Sequence, residues 1–451
     1  MSTRPPATER AKKAKPDSGR VVVRDPSEPI RVGMLGFGTV GAAAYRMLVE
    51  NRALICRRIG TSIEVAGIGV RDPEKERQAP RELFTTDLRS IVDDPSVDVV
   101  LELMGGVSPA GELVERALRC GKHVVTANKE LLAKQGSRLV HLAATLGRDL
   151  HFEAAVGGGI PLIQPIKHQL AGNDLVKLMG ILNGTTNYVL TRMTEDGCDF
   201  EDALSEAQKS GFAEADPAND VDGFDTQYKL AILSSIAFAQ EVSPEGVHRE
   251  GIRGVRQKDI HFADVLGYRI KPLGIVEALP EGILARVHPT LVPKEHPLAS
   301  VSGVYNAVWF TGDFVGDVMF SGRGAGGNPT GSAVIGDLID VCRNMRLGGA
   351  GNLVPYGPPI RALPIEQLTT RYYVRLIVQD RPKALGCIAT VFGNCGISLA
   401  AMEMRTLDDR LGEIVFLTHP AQESALLRSL KALRNIHIVE LIASWFRVEG
   451  E

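Results

Sequence analysis

The chain has 451 residues, 44% of them hydrophobic, enough for about two to four domains with sizeable cores. A formal net charge of −3 at pH 7 gives no electrostatic case for partnership with nucleic acid or an anionic membrane surface. No apolar run reaches the ~20 residues of a membrane span, and the six cysteines form neither a CxxC pair nor a Cys/His cluster of zinc spacing, as suits a reduced, cytoplasmic protein.

Residues 1–29 are rich in Pro, Lys, Arg, Asp and Glu and nearly free of large apolar side chains before Val21. Such a segment cannot bury enough surface to offset its ordering entropy, so it reads as a disordered tail. It lacks the apolar core of a secretory signal. Ile30 to Leu35 then reads as a buried strand running into Gly36-Phe37-Gly38-Thr39-Val40-Gly41 and a helix, Ala42 to Val49. This is GxGxxG between a strand and a helix, the context in which it binds a dinucleotide. Gly36 permits the tight turn, Gly38 lets the backbone approach a pyrophosphate, and Gly41 lets helix and strand pack closely. The helix N-terminus offers its free N–H groups to the phosphates.

A second strand, Ile63 to Val70, ends at Arg71 and Asp72. An arginine there favours the 2′-phosphate of NADP, and an acid favours the ribose hydroxyl of NAD. Arg71 is the candidate for NADP preference, and Asp72 keeps NAD open. Val97 to Leu103 is a further strand, ending in Met104-Gly105-Gly106. Helix Ala110 to Arg119 follows, and strand His123 to Val125 leads to Lys129. Strand ends of an open α/β sheet line its ligand crevice, which puts Lys129 near the nicotinamide end. Alone, a lysine at a helix start would read as surface charge.

Leu150 to Val156 reads as a strand before Gly157-Gly158-Gly159, and Val176 to Leu182 as another before Asn183-Gly184-Thr185-Thr186-Asn187-Tyr188. Thr185 or Thr186 would serve as a helix N-cap. Gly211 to Lys229, GFAEADPANDVDGFDTQYK, gathers Glu214, Asp216, Asp220, Asp222 and Asp225 in a loop broken by Pro217 and Gly223. Lys229 follows Asp225 by one helical turn on the same face. A solvated acidic loop with a surface ion pair is the plain alternative. A lysine among carboxylates in a cleft could instead protonate an oxygen while the acids hold a substrate amine.

Ala207 to Lys229, AQKSGFAEADPANDVDGFDTQYK, closely resembles the signature of the homoserine dehydrogenases. The ELMGG, TANKE and NGTTNY segments and the second glycine-rich loop, Ser321 to Thr330, resemble that family too. The resemblance implies interconversion of L-homoserine and L-aspartate 4-semialdehyde with NADP or NAD, feeding threonine, methionine and isoleucine. It implies a substrate site at Glu214, Asp225 and Lys229, with Lys129 between cofactor and substrate. Asp220, Thr185 and Tyr188 are candidates for the same pocket. Lys229 is expected as general acid or base and Lys129 as its partner on the reacting oxygen, with the division between the two lysines open. Met104, Gly105 and Gly326 join the GxGxxG residues as cofactor candidates. The backbone oxygens of Val156, Gly158 and Ile160, with Glu153, are implied ligands of a monovalent metal ion such as sodium. The loop at Gly326 is implied to fold back on the cofactor domain, and the strands near Ile270 to Val276, Leu284 to Val287 and Ala307 to Thr311 to form an antiparallel sheet that carries an oligomer interface, in a dimer or tetramer.

From Thr370 onward the order is βαββαβ, the ferredoxin-like split arrangement. Asp380-Arg381-Pro382-Lys383-Ala384-Leu385 resembles the ligand loop of ACT domains, with Lys383 where the usual glycine stands. The expected fold class is therefore α/β: a Rossmann-type NAD(P)-binding domain (30–150), an α+β catalytic and oligomerisation domain (151–363) and a C-terminal ferredoxin-like ACT domain (370–451). Gly348 to Pro364 reads as the link between the last two. L-Threonine is the expected effector. Two alternatives stay open: an aspartate-semialdehyde dehydrogenase, which requires a reactive cysteine, and a non-catalytic amino-acid sensor.

Overall fold

The computed structural model describes residues 28–348, 355–408 and 410–450. The tail before residue 28 and part of the Gly348 to Pro364 link lie outside the described residues. A six-stranded parallel sheet opens the fold: β1 (Ile30–Leu35), β2 (Ile63–Gly69), β3 (Phe84–Thr85), β4 (Val99–Glu102), β5 (His123–Thr126) and β6 (Leu150–His151), in the order β3-β2-β1-β4-β5-β6. The order reverses between β1 and β4, and there a doubly wound sheet opens its ligand crevice. Helices Thr39–Glu50 and Lys129–Leu146 follow β1 and β5, each starting at that edge.

The second sheet takes β7 (Leu175–Ile181), β8 (His248–Arg249), β9 (Tyr268–Leu279), β10 (Gly282–Pro293), β11 (Tyr305–Gly312) and β12 (Gly316–Arg323). Its main path, β12-β11-β7-β9-β10, is antiparallel throughout, and β8 adds to β10 in parallel. The Asp225 helix, Phe224–Ala237, packs against this sheet and the Lys129 helix. Nearly all of its turns are buried, which explains its uninterrupted run Leu230, Ala231, Ile232, Leu233.

The chain then returns to the first sheet. Helix Gly327–Arg346 places Val334, Ile335, Leu338 and Val341 in one core with Ile30, Val32 and Met34 of β1. Close approach to helix Thr39–Glu50 depends on small residues: a Cβ on Gly331 would meet the Ala44 nitrogen at 3.0 Å. A late segment thus completes the core of the nucleotide-binding sheet.

The C-terminal strands are β13 (Thr369–Gln379), β14 (Leu399–Thr406), β15 (Leu411–Thr418), β16 (Ala421–Gln422) and β17 (Val439–Val448). They form the order β17-β13-β15-β14, covered by helices Ala384–Asn394 and Glu423–Leu433 over a core that includes Tyr372, Phe392 and Phe416. This is the expected βαββαβ layout. The unit does not stand apart. β17 pairs with β10 at Thr290↔Arg447 and Leu291↔Val448, merging both groups of strands into one 11-stranded sheet. Beneath the seam, the Arg375 Nε donates to Asp259 at 2.6 Å, both groups buried.

Two local expectations are corrected. The strand expected over Leu150 to Val156 stops at His151, and Glu153–Ala155 form a 3-10 turn. The Glu153 carboxylate accepts N–H bonds from Ile163 and Gln164, both at 2.8 Å, and from Leu162, while its own N–H donates to Asp337. Those bonds curl the chain across the start of helix Ile163–Lys167, and no ladder can continue. The N-cap of helix Gly184–Asp196 is Asn183 rather than a threonine: its side-chain oxygen accepts from the Thr186 N–H at 2.8 Å.

Candidate active site

Asp225 sits in the first turn of its helix because Gly223, at φ +84, turns the acidic loop sharply into it. The carboxylate is 4% exposed and lies between two lysines. Lys229, one turn on, donates to Oδ2 at 2.7 Å, and its ammonium also donates to the Leu182 carbonyl at the end of β7 at 2.8 Å. Lys129, the first residue of the helix after β5, forms an ion pair with Oδ1. Asn183 bridges the acids, its amide donating to Asp220 at 2.7 Å and Asp225 at 2.9 Å. Two sheets, two helix starts and one acidic loop therefore meet at a single carboxylate.

Electrostatics divide the lysines. Burial pushes the Lys229 ammonium below its ordinary pKa, the Lys129 charge adds to this, and Asp225 opposes it. Burial pushes Lys129 the same way, but Asp225, Asp220 and Glu214 outweigh it and hold that ammonium above its ordinary value. Asp225 is itself held well below the usual carboxylate range, its burial overcome by Lys229 and Lys129. Burial and the neighbouring Asp225 charge raise Asp220.

A cavity of about 290 Å³ opens over this group, lined by Lys129, Glu130, Glu214, Asp216, Asn219, Asp220, Asp225 and Tyr228. Lys129, Glu214, Asp220 and Asp225 were all singled out from sequence. Lys229 lies behind Asp225 and is 9% exposed. Thr185 and Tyr188 make their hydroxyl bonds beside the acidic loop. The Thr185 hydroxyl donates to the Phe212 carbonyl at 2.6 Å, and the Tyr188 hydroxyl donates to Glu206 at 2.9 Å while its ring packs on Phe212. They brace the acidic loop from behind.

The cofactor candidates line the open edge of the first sheet. Gly36 has φ +105, and a Cβ there would meet the Leu103 carbonyl oxygen at 2.7 Å; a Cβ on Gly41 would meet the Gly36 carbonyl oxygen at 2.5 Å. Gly38, Gly105 and Gly106 face open space, leaving bare backbone for a ligand. Phe37 packs edge-on against Tyr45 and Phe84. Val40 lies in the first turn of the helix that Thr39 begins. Arg71 is exposed just beyond β2, and Met104 follows β4. Gly326 caps helix Gly327–Arg346, where a Cβ on Gly327 would meet Thr39 at 3.1 Å. These residues fit a dinucleotide laid across the strand ends.

Glu102 was missed. This fully buried acid at the end of β4 accepts from the Thr126 hydroxyl at 2.6 Å and the Met104 N–H at 2.9 Å. Asn128 caps the Lys129 helix and donates to the Gly106 carbonyl at 2.6 Å. Together they tie the 104–106 loop to the start of the Lys129 helix. A carboxylate closing an apolar strand was the available signal.

At the cation site that the resemblance implies, through Glu153 and the carbonyls of Val156, Gly158 and Ile160, the Glu153 carboxylate already accepts N–H bonds from the start of helix Ile163–Lys167. Gly157 and Gly158 take φ of +76 and +56, and a Cβ on Gly158 would meet the Gly324 carbonyl oxygen at 2.5 Å. All-oxygen ligation of the kind implied suits a hard cation. Among the described residues, no group of three or more His, Cys, Asp or Glu side chains is arranged to hold a metal. No cysteine lines the active-site cavity, which leaves the thiol-dependent alternative without its nucleophile.

The family model for the homoserine dehydrogenase NAD-binding domain matches residues 36–153, and that for homoserine dehydrogenase matches residues 161–339. The chain is 43% identical to a homoserine dehydrogenase of Synechocystis sp. over 436 residues, 93% of this chain and 99% of the relative. It is 39% identical to one of Bacillus subtilis over 427 residues, 93% and 98% of the two chains. The crystal structure of a homoserine dehydrogenase from Thiobacillus denitrificans matches with a TM-score of 0.88 at 40% identity, over 94% of this chain and 99% of that one. A hyperthermophilic archaeal homoserine dehydrogenase mutant in complex with NADPH matches at 0.60 and 26% identity, over 70% and 98%.

Proposed function

The chain belongs to the homoserine dehydrogenase family, NAD(P)-dependent oxidoreductases acting on a CH–OH group, and from that premise we propose how its own residues carry the reaction. The reaction is L-homoserine plus NAD(P)+ to L-aspartate 4-semialdehyde plus NAD(P)H and a proton. The observation that carries the proposal is the buried Asp225 carboxylate between Lys129 and Lys229 at the edge of the nucleotide-binding sheet.

The nicotinamide, when bound, supplies hydride exchange with the substrate C4. Glu214, on the cavity wall, holds the substrate ammonium, and Asp220 adds negative charge beside it. Asp225 orients both lysines. Lys229 has two of its three N–H donors committed, to Leu182 and Asp225, leaving one for the reacting oxygen. Its lowered pKa suits it to give a proton to the forming alkoxide and recover it in the reverse direction. Lys129, held as an ammonium, stabilises negative charge on the same oxygen.

Further features belong to the same proposal. Arg71 favours NADP over NAD, and a monovalent cation such as sodium occupies the carbonyl turn at Val156, Gly158 and Ile160. The domains divide at 30–150, 151–363 and 370–451, the last an ACT module that responds to L-threonine. The enzyme works as a homo-oligomer in the cytoplasm, within threonine, methionine and isoleucine biosynthesis. Among the described residues no helix is long and apolar enough to cross a membrane.

The test is homoserine-dependent reduction of NADP+ and of NAD+, followed at the nicotinamide absorbance, in the wild type and in Lys229→Ala. Activity that collapses in the variant while cofactor still binds supports the role of Lys229. Activity that survives transfers the proton to Lys129 or water. A wild type that binds amino acids without turnover returns the sensor reading.

A further inference from the structure

On the reading that Asp225 organises the site, we infer that Arg249 is a positioning residue for it, acting through the turn that precedes the Asp225 helix. β8 contains only His248 and Arg249, and it pairs with β10 at Arg286↔His248 and Val287↔Arg249. The Arg249 guanidinium lies 3.5 Å from the centroid of the Phe224 ring, the first residue of the helix, and donates to the Asp222 carbonyl. One cation thus grips the residues on both sides of Gly223.

The grip is reinforced by backbone contact. A Cβ on Gly223 would meet Arg249 Cγ at 3.3 Å, and one on Gly251 would meet the Val221 carbonyl oxygen at 2.4 Å. The Ile252 N–H donates to that same oxygen at 2.9 Å. The 221–224 turn therefore rests on the 249–252 segment over its whole length. If the first helical turn rotates, Asp225 moves relative to Lys129, whose backbone is set by the end of β5 and the helix start. A cation stacked on an aromatic face and hydrogen-bonded to a carbonyl resists that rotation in a way an apolar side chain does not.

The same segment reaches the C-terminal unit. Glu250 accepts from Arg447 of β17 at 2.9 Å and contacts His248 at 2.8 Å, and Arg447 is also held by Glu423 at 2.7 Å. A continuous series of contacts runs from β17 through β8 to the Asp225 turn. Contiguity becomes coupling only when a perturbation at one end is felt at the other.

Full-length wild type, Arg249→Met, Arg249→Lys and Glu250→Gln are compared for kcat, KM for homoserine, KM for NADP+ and the thermal midpoint. Arg249→Met is expected to raise the homoserine KM roughly tenfold with the NADP+ KM unchanged. Arg249→Lys keeps a cation over the ring and is expected to recover most of that loss. Glu250→Gln shifts the homoserine KM in the same direction by a smaller factor. If Arg249→Met lowers only the thermal midpoint while the active enzyme keeps its wild-type homoserine KM, the inference is wrong. An unchanged homoserine KM in Glu250→Gln removes the link to β17. A wild type without homoserine-dependent reduction removes the proposed function and this inference with it, whereas an active wild type with an indifferent Arg249→Met removes the inference alone.

Discussion

Replacing Asp225 with asparagine keeps the shape of the side chain and removes the one charge that two lysines share. Lys229 is almost fully buried and would retain a partial partner in the amide, while the 43% exposed Lys129 can turn to solvent. Removing one member of a buried ion pair costs about 3–5 kcal/mol because the other charge is stranded. Solvent access at Lys129 discounts the total, so about 3 kcal/mol is expected. Asp225 raises the pKa of both lysines, so its loss lowers both, and the pH profile of homoserine oxidation moves toward lower pH. Misaimed lysines should also reduce kcat/KM by about a hundredfold. Urea unfolding measures the first effect, and kcat/KM across pH measures the other two. An Asp225→Asn protein within ~1 kcal/mol of the wild type, with its pH profile unmoved, would refute the shared-carboxylate account.

Other expectations concern the framework. His151 forms ion pairs with Asp149 and Asp337, each at 3.6 Å; burial opposes its protonation, but these carboxylates raise it to about 9. Its stabilisation is fully present below the unfolded value near 6.5 and is lost as pH rises through about 9, about 3 kcal/mol in all. Lys167, lowered by burial to about 8, acts oppositely only above that value. Thermal midpoints of His151→Gln should therefore fall less steeply than wild type between pH 6.5 and 8, and parallel curves would contradict the assignment. Lys383 takes φ +72, a left-handed conformation that costs a non-glycine residue about 1 kcal/mol; Lys383→Gly should stabilise the full chain by that amount in denaturant unfolding. Gly331→Val would overpack the seam with helix Thr39–Glu50 at a cost of about 1–3 kcal/mol and raise the KM for NADP+, and an unaltered KM would show that the seam does not shape the cofactor edge.

Sequence alone determined what depends on neighbours in the chain. Ile30 to Leu35, the GFGTVG turn and helix Ala110–Arg119 emerge where short-range sterics and apolar spacing put them. The βαββαβ order from Thr369 is equally legible, because its strands and helices alternate with clear period. Irregular motifs around Lys129, Glu214, Asp225 and Lys229 carried the resemblance, and with it the chemistry. Tertiary structure decided the rest. No local pattern shows that Lys129 and Lys229 converge on one carboxylate, since they lie on helices a hundred residues apart in the chain and only the packing of those helices brings them together. Glu153 was read inside a strand from Leu150 to Val156, but its bonds to residues 162–164 end that strand at His151. The partners of Thr185 and Tyr188 were likewise set by folding, which brings the Phe212 carbonyl and Glu206 to their hydroxyls. The resemblance implied that the loop at Gly326 folds back on the cofactor domain, but which residues of helix Gly327–Arg346 join the core of the first sheet, nearly three hundred residues away in the chain, was decided by packing. Periodicity tells which face is apolar, and only packing tells what covers it.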